Sequence, residues 1–244
     1  MTIALAALSA ATGAVIGSFV STAALRSTRR EPALLGRSHC DSCQRTIGLV
    51  ETVPLVSFAM ARGRCSICRA PISLVHPAGE AVGALGGLVL ALAVPWPAAI
   101  IMGVMGAALL AAAVVDMRIQ RIPNGLTFVV AICAAALAAQ TGIGALIEGA
   151  TAAAVAGAIL IALRWGFTRY RSDPGLGLGD VKLIAALALW VGAQTPLMVA
   201  IAAGLGLIGM RIAPPRTGRI AFGPMIALSG WTLGVTTELN LWPR

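Results

Sequence analysis

Pro174-Gly-Leu-Gly-Leu-Gly-Asp180-Val-Lys182 runs directly into Leu183-Ile-Ala-Ala-Leu-Ala-Leu-Trp190. Three glycines lead to one carboxylate, and a strongly apolar segment follows. An ionisable group at the mouth of such a segment is costly in lipid and marks a functional site. The rest of the chain agrees with a membrane helix here. Of 244 residues, 58% are hydrophobic and 11% charged, against about 25% charged in soluble domains. Mean hydropathy is +0.90. The fold class implied is all-α, a polytopic helix bundle in a lipid bilayer.

Outward from that stretch, apolar runs predict about eight spans, at 2–24, 78–94, 97–115, 125–141, 145–165, 180–193, 195–212 and 220–238. Most approach the roughly 20 residues that cross a hydrocarbon core, and the sixth is short. Three parts follow: a first transmembrane helix at 1–24, a polar insert at 25–77, and a seven-helix bundle at 78–244 that carries Asp116 and Asp180. Small residues, as in Gly83-Ala-Leu-Gly-Gly87 and Gly149-Ala-Thr-Ala-Ala153, are expected to let helices approach closely. No positive region precedes the first helix, which is read as an uncleaved anchor.

The cations set the orientation. With the N-terminus outside, alternate loops fall inside. Arg26 through Arg69, then Arg118 and Arg121, then Arg164 to Lys182, then Arg211, Arg216 and Arg219 all lie on that side. These are 17 of the 18 Lys and Arg, leaving Arg244 outside. Positive loops stay in the cytoplasm, so both termini are expected outside. The net charge of +9 is spent on topology, and no nucleic-acid partner is expected.

The polar insert carries Cys40-Asp-Ser-Cys43 and Cys65-Ser-Ile-Cys68, separated by 21 residues. Two such knuckles supply four thiolates to a tetrahedral ion, and Zn2+ in a closed shell is structural. Disulfides are the alternative, disfavoured in a reducing cytoplasm. Metal binding would stabilise a segment with few apolar residues of its own. Cys133 lies in an apolar span and is read as core.

Of nine acids, Glu31, Asp41, Glu51 and Asp173 lie in inside loops, while Glu148 and Glu238 lie at outer helix ends. Glu80, Asp116 and Asp180 remain. Asp116 ends the third span, before Ile122-Pro-Asn124, and Asp180 begins the sixth. The cation count places both at the cytoplasmic boundary. Two carboxylates at one depth can share a proton, one acting as base on water while the other polarises a carbonyl. Asp180 sits at a helix N-terminus and Asp116 at a C-terminus, which biases Asp180 toward the anion. Gly177 and Gly179 let backbone approach backbone. They and Lys182 are expected to position the loop or the substrate, and Glu80 to assist at the same face.

In combination these features resemble the type IV prepilin peptidase family, the GxGD-type membrane aspartic proteases. The similarity covers Gly17-Ser-Phe19, the two knuckles with Pro54-Leu-Val-Ser57, His76-Pro77 with Glu80, Asp116 with Ile122-Pro-Asn124, Gly177-Leu-Gly179-Asp180-Val-Lys182 and Ala221-Phe-Gly-Pro224. Asp41 and Glu51-Thr-Val-Pro54 depart from the family pattern. The resemblance implies catalytic Asp116 and Asp180, and removal of the basic leader of prepilins or pseudopilins at the cytoplasmic face. It also implies methylation of the new N-terminus with S-adenosylmethionine, for which no Rossmann pattern is present. Two readings compete. A proton-coupled transporter would use the same acids as a relay, and a zinc-stabilised scaffold would not need the two aspartates.

Overall fold

The structure, a computed structural model, describes residues 3–33, 36–171, 175–212 and 220–239. Asp173, Pro174, Arg216, Arg219 and Arg244 lie outside the described residues. Among the described residues the chain is helical, without strands. The helices are α1 (Ile3–Thr28), α2 (Val56–Met60), α3 (Val75–Ala93), α4 (Trp96–Ile119), α5 (Asn124–Thr141), α6 (Ile143–Arg171), α7 (Leu178–Val191), α8 (Thr195–Ile212) and α9 (Gly223–Glu238). The eight expected spans all fall on helices, and α2 is a short helix within the insert.

Six stretches are long and apolar enough to cross a membrane: α1, α3, α4, α5, α6 up to Tyr170, and Leu178–Ile212, which joins α7 to α8. The 14 residues of α7 and 16 of α9 fall short of the roughly 20 that a straight crossing needs. Short α7 has a local cause. It is entered through a glycine-rich loop and ends at Gly192, whose φ is +54°, a conformation that favours glycine.

The chain divides into two compact units, Met1–Ala93 and Val94–Arg244. In the first, α3 packs on α1 along small residues. Ser9, Gly13, Gly17 and Ser21 recur every four positions on α1 and face Gly79, Gly83 and Gly87 of α3. A Cβ added at Gly13, Gly17, Gly83 or Gly87 would overlap backbone of the facing helix. Backbone-to-backbone approach of this kind replaces the hydrophobic drive that lipid removes, and it gives Gly83 and Gly87 the packing role expected of them.

The insert between these helices is a repeat. Cys40 N–H donates to Arg45 O and Cys65 N–H to Ala70 O, at 3.0 and 2.9 Å. Ile47 N–H donates to Ser38 O and Ile72 N–H to Gly63 O, each at 2.8 Å. Gln44 and Arg69 both adopt positive φ, 58° and 61°. Each of these pairs is offset by the same 25 positions that separate Cys40 from Cys65.

In the second unit α7 is central, packed against α5, α6 and α9. Leu183, Leu187 and Ala188 are fully buried and Ile184 nearly so. A helix apolar on every side is one buried in its bundle. The long α6 instead exposes Val155, Ile159, Ile161 and Leu163, a face suited to lipid. Gly149, on the same helix, lies against the backbone of Leu189.

Candidate active site and metal centre

Asp116 belongs to the last full turn of α4. Gln120, at φ 52°, closes that helix and donates its N–H to Asp116 O at 2.8 Å. Asp116 is 5% exposed. Its Oδ2 accepts the N–H of Gly223, at the start of α9, at 2.8 Å. A side chain at Gly223 would displace this contact, because a Cβ there would lie 2.9 Å from that oxygen.

Asp180 is the third residue of α7, with Gly177 as its N-cap. Its carboxylate folds back and accepts a hydrogen bond from the Gly177 backbone, the acceptor half of a capping box. A Cβ on Gly177 would sit 2.8 Å from Asp180 Oδ2. Asp180 is half-buried, and it interacts electrostatically with Asp116. The structure thus brings together the two aspartates that the sequence paired.

Their surroundings differ from expectation in one respect. Asp116 ends α4, but its carboxylate also meets the first turn of α9. Each aspartate therefore receives a backbone N–H from a helix N-terminus, where anions are favoured. The start of α9 thus offsets, at Asp116, the effect of the α4 C-terminus on which the expected difference rested.

The two motifs are tied to each other. Lys182 Nζ donates to Asn124 Oδ1 at 3.0 Å. Gly179 faces buried Ile122, whose Cβ would lie 3.1 Å from a Cβ on the glycine. So Gly177, Gly179 and Lys182 all have contacts beside or between the two motifs. The loop before α7 is held from α6: Arg164 donates to Leu176 O, and Gly175, at φ +62°, packs on Phe167. The sequence reading placed Arg164 only among topology cations. It placed Gly223 only in a motif, and nothing local reveals a partner 107 positions away.

Glu80 lies in the N-terminal unit, 8% exposed. It accepts Ser18 Oγ and Leu55 N–H, each at 2.7 Å.

Cys40, Cys43, Cys65 and Cys68 bring their sulfurs within 4.8 Å of one another. Ligands about 2.3 Å from a tetrahedral zinc lie about 3.8 Å apart, and Cys40 Sγ and Cys68 Sγ are 3.8 Å apart. The cluster can therefore hold a metal ion. Its electrostatics agree. The Arg45 guanidinium, with the Cys68 and Ile67 N–H groups, pulls Cys65 down to about 5. Backbone N–H groups of Cys43 and Ser42 lower Cys40. Cys68 is pushed up to about 11; the Ala70 N–H favours its thiolate, but desolvation and the three other thiols outweigh it. Four crowded sulfurs cannot all ionise without a cation among them.

Residues 11–94 match the bacterial peptidase A24 N-terminal domain, and residues 103–210 match the type IV leader peptidase family. The chain is 37% identical over 202 residues to a type 4 prepilin-like proteins leader peptide-processing enzyme of Escherichia coli, covering 80% of this chain and 74% of that protein. It is 36% identical over 206 residues to a prepilin leader peptidase/N-methyltransferase of Burkholderia pseudomallei, covering 80% and 65%. A prepilin leader peptidase/N-methyltransferase of Aeromonas hydrophila is 32% identical over 215 residues, covering 81% and 71%. No solved structure matches the chain. With both motifs and most of the N-terminal unit inside these matches, the chain belongs to the type IV leader peptidase family.

Proposed function

We propose that this chain is a membrane aspartic endopeptidase that removes the basic leader of type IV prepilins or pseudopilins at the cytoplasmic face of the inner membrane. Asp116 and Asp180 are its catalytic pair. The observation that carries this reading is their pairing: two carboxylates near enough to feel each other's charge, each accepting a backbone N–H, on motifs tied by Lys182 and Asn124. Of the two, one accepts a proton from water as the water attacks the scissile carbonyl. The other donates to the carbonyl oxygen. Collapse breaks the C–N bond, and the leaving amine takes up a proton. The pair titrates as a unit, so the roles belong to the pair.

The orientation rests on the cations, 17 of 18 on one side. A basic leader would stay inside while its apolar helix lies in lipid, which puts the scissile bond at the membrane boundary. Zn2+ bound by Cys40, Cys43, Cys65 and Cys68 would act structurally, since four sulfurs leave no open position. S-adenosylmethionine, when bound, would supply a methyl group to the freed N-terminal amine; the names of the relatives support this second activity.

Co-expression with a prepilin tests the pair. Asp116→Asn and Asp180→Asn are each expected to lower cleavage by at least about a thousand-fold, within the range of lost acid–base catalysis. Full cleavage by either variant would remove that aspartate from the mechanism and reopen the transporter reading. Metal analysis of the purified protein, with and without the four cysteines, tests zinc.

A further inference from the structure

The N-terminal unit contains a cavity of about 230 Å³ to which peptide hydrolysis assigns no role. It is bounded by α1, both knuckles and the first turns of α3. Leu25, Ile47 and Phe58 give it an apolar wall, and Arg64 and Glu80 also line it.

Glu80 is the unusual member. It is more than nine-tenths buried, and both of its hydrogen-bond donors, the Ser18 hydroxyl and the Leu55 N–H, are neutral. Two other acids on the cavity have cations: Asp41 pairs with Arg29 at 2.7 Å and Glu51 with Arg45 at 2.6 Å. Glu80 has no ion pair among the described residues. A carboxylate withdrawn from water calls for a positive partner. Its support is also strained. Leu55 holds φ 62°, a costly conformation for a residue with a branched side chain, and in it donates to Glu80. Strain kept at a buried carboxylate on a cavity is the pattern of a preorganised site.

We propose that this cavity binds S-adenosylmethionine, with the Glu80 carboxylate set against the positive charge of the donor. The inference rests on the methyl-transfer reading above and gives it a place. The apolar wall suits a purine ring, and Arg64 suits a carboxylate. Because Cys40 and Cys65 also line the cavity, the metal centre forms part of its wall. Loss of the metal is then expected to weaken donor binding.

The test measures binding to the full chain in nanodiscs, zinc content held constant. Three probes are compared: S-adenosylmethionine, the cationic analogue sinefungin, and S-adenosylhomocysteine, whose sulfur is neutral. The expected result is that the two cations bind about ten-fold tighter than the thioether, and that Glu80→Gln abolishes this preference while leaving the thioether nearly unchanged. Ile47→Trp, which fills the cavity and keeps Glu80, should weaken all three probes. It supplies the decisive result if Glu80→Gln fails to fold. Tight S-adenosylmethionine binding that neither variant alters overturns the site but leaves methyl transfer standing. No binding to the unaltered protein overturns both, and leader cleavage is unaffected by either outcome.

Discussion

The backbone N–H of Gly223 donates to Asp116 Oδ2 at 2.8 Å, across 107 positions of sequence. The start of α9 therefore holds the end of α4. Gly223→Ala would place a methyl group 2.9 Å from that oxygen and 3.1 Å from Asp116 Cβ. One side must move, and misplacement near 1 Å costs about a hundred-fold in rate. Prepilin cleavage should fall by that order while the helical content by circular dichroism stays unchanged. Unaltered cleavage would show that this contact does not position Asp116.

Lys182 and Asn124 join the two aspartate motifs through one hydrogen bond of 3.0 Å. Lys182→Met and Asn124→Ala should each slow cleavage by about ten-fold, because each frees the same pair of elements. The double variant should be no slower than the worse single one. Multiplying effects would mean that the side chains act separately.

The helix pair α1–α3 has no room for side chains at Gly83. Gly83→Leu would drive a branched side chain into the backbone of Gly13. Overpacking costs about 1–3 kcal/mol in tolerant cores, and a rigid backbone contact should sit at or above that range. The expected outcome is a sharp loss of folded protein, read by size-exclusion chromatography in detergent. At Gly86, where a Cβ meets nothing, Gly86→Ala should leave the folded yield unchanged.

The Arg45–Glu51 pair predicts an absence of pH dependence. Arg45 and, more weakly, Ser66 and the Gly48 N–H hold Glu51 at about 2, below its ordinary 4.5. A depressed carboxyl stabilises the fold above its unfolded value and loses that contribution as pH falls through the folded one. The contribution is therefore full and flat from about pH 5 upward. Limited proteolysis of the insert should show a constant difference between Glu51→Gln and the unaltered protein from pH 5 to 8. A difference that grew across that range would contradict the assignment.

Much of this was legible in the sequence because lipid leaves few choices. Apolar runs had to be helices, and all eight expected spans fall on helices. Asp116 and Asp180 stood out because lipid makes isolated acids costly. Two of the acids given plain explanations have structural partners at the outer helix ends: Glu148 accepts the Ala193 N–H at 2.9 Å, and Glu238 accepts Trp190 Nε1 at 3.2 Å. The parts that could not be read are long-range. Gly223 on Asp116 and Arg164 on Leu176 are contacts between elements, and residue type alone does not reveal them. Strain at Leu55 was equally hidden, since leucine gives no signal of positive φ.

The duplicated knuckles have a consequence for assembly. Each half closes its own turn with its own backbone hydrogen bonds, so either pair of sulfurs can catch an ion first. The second pair then arrives on a tether of 21 residues, whose length-dependent closure cost is about 2.7 kcal/mol. That is small beside the binding of zinc, about 10 kcal/mol or more. Capture by one half thus commits the other, and the insert should load a metal ion cooperatively, with no half-filled species accumulating.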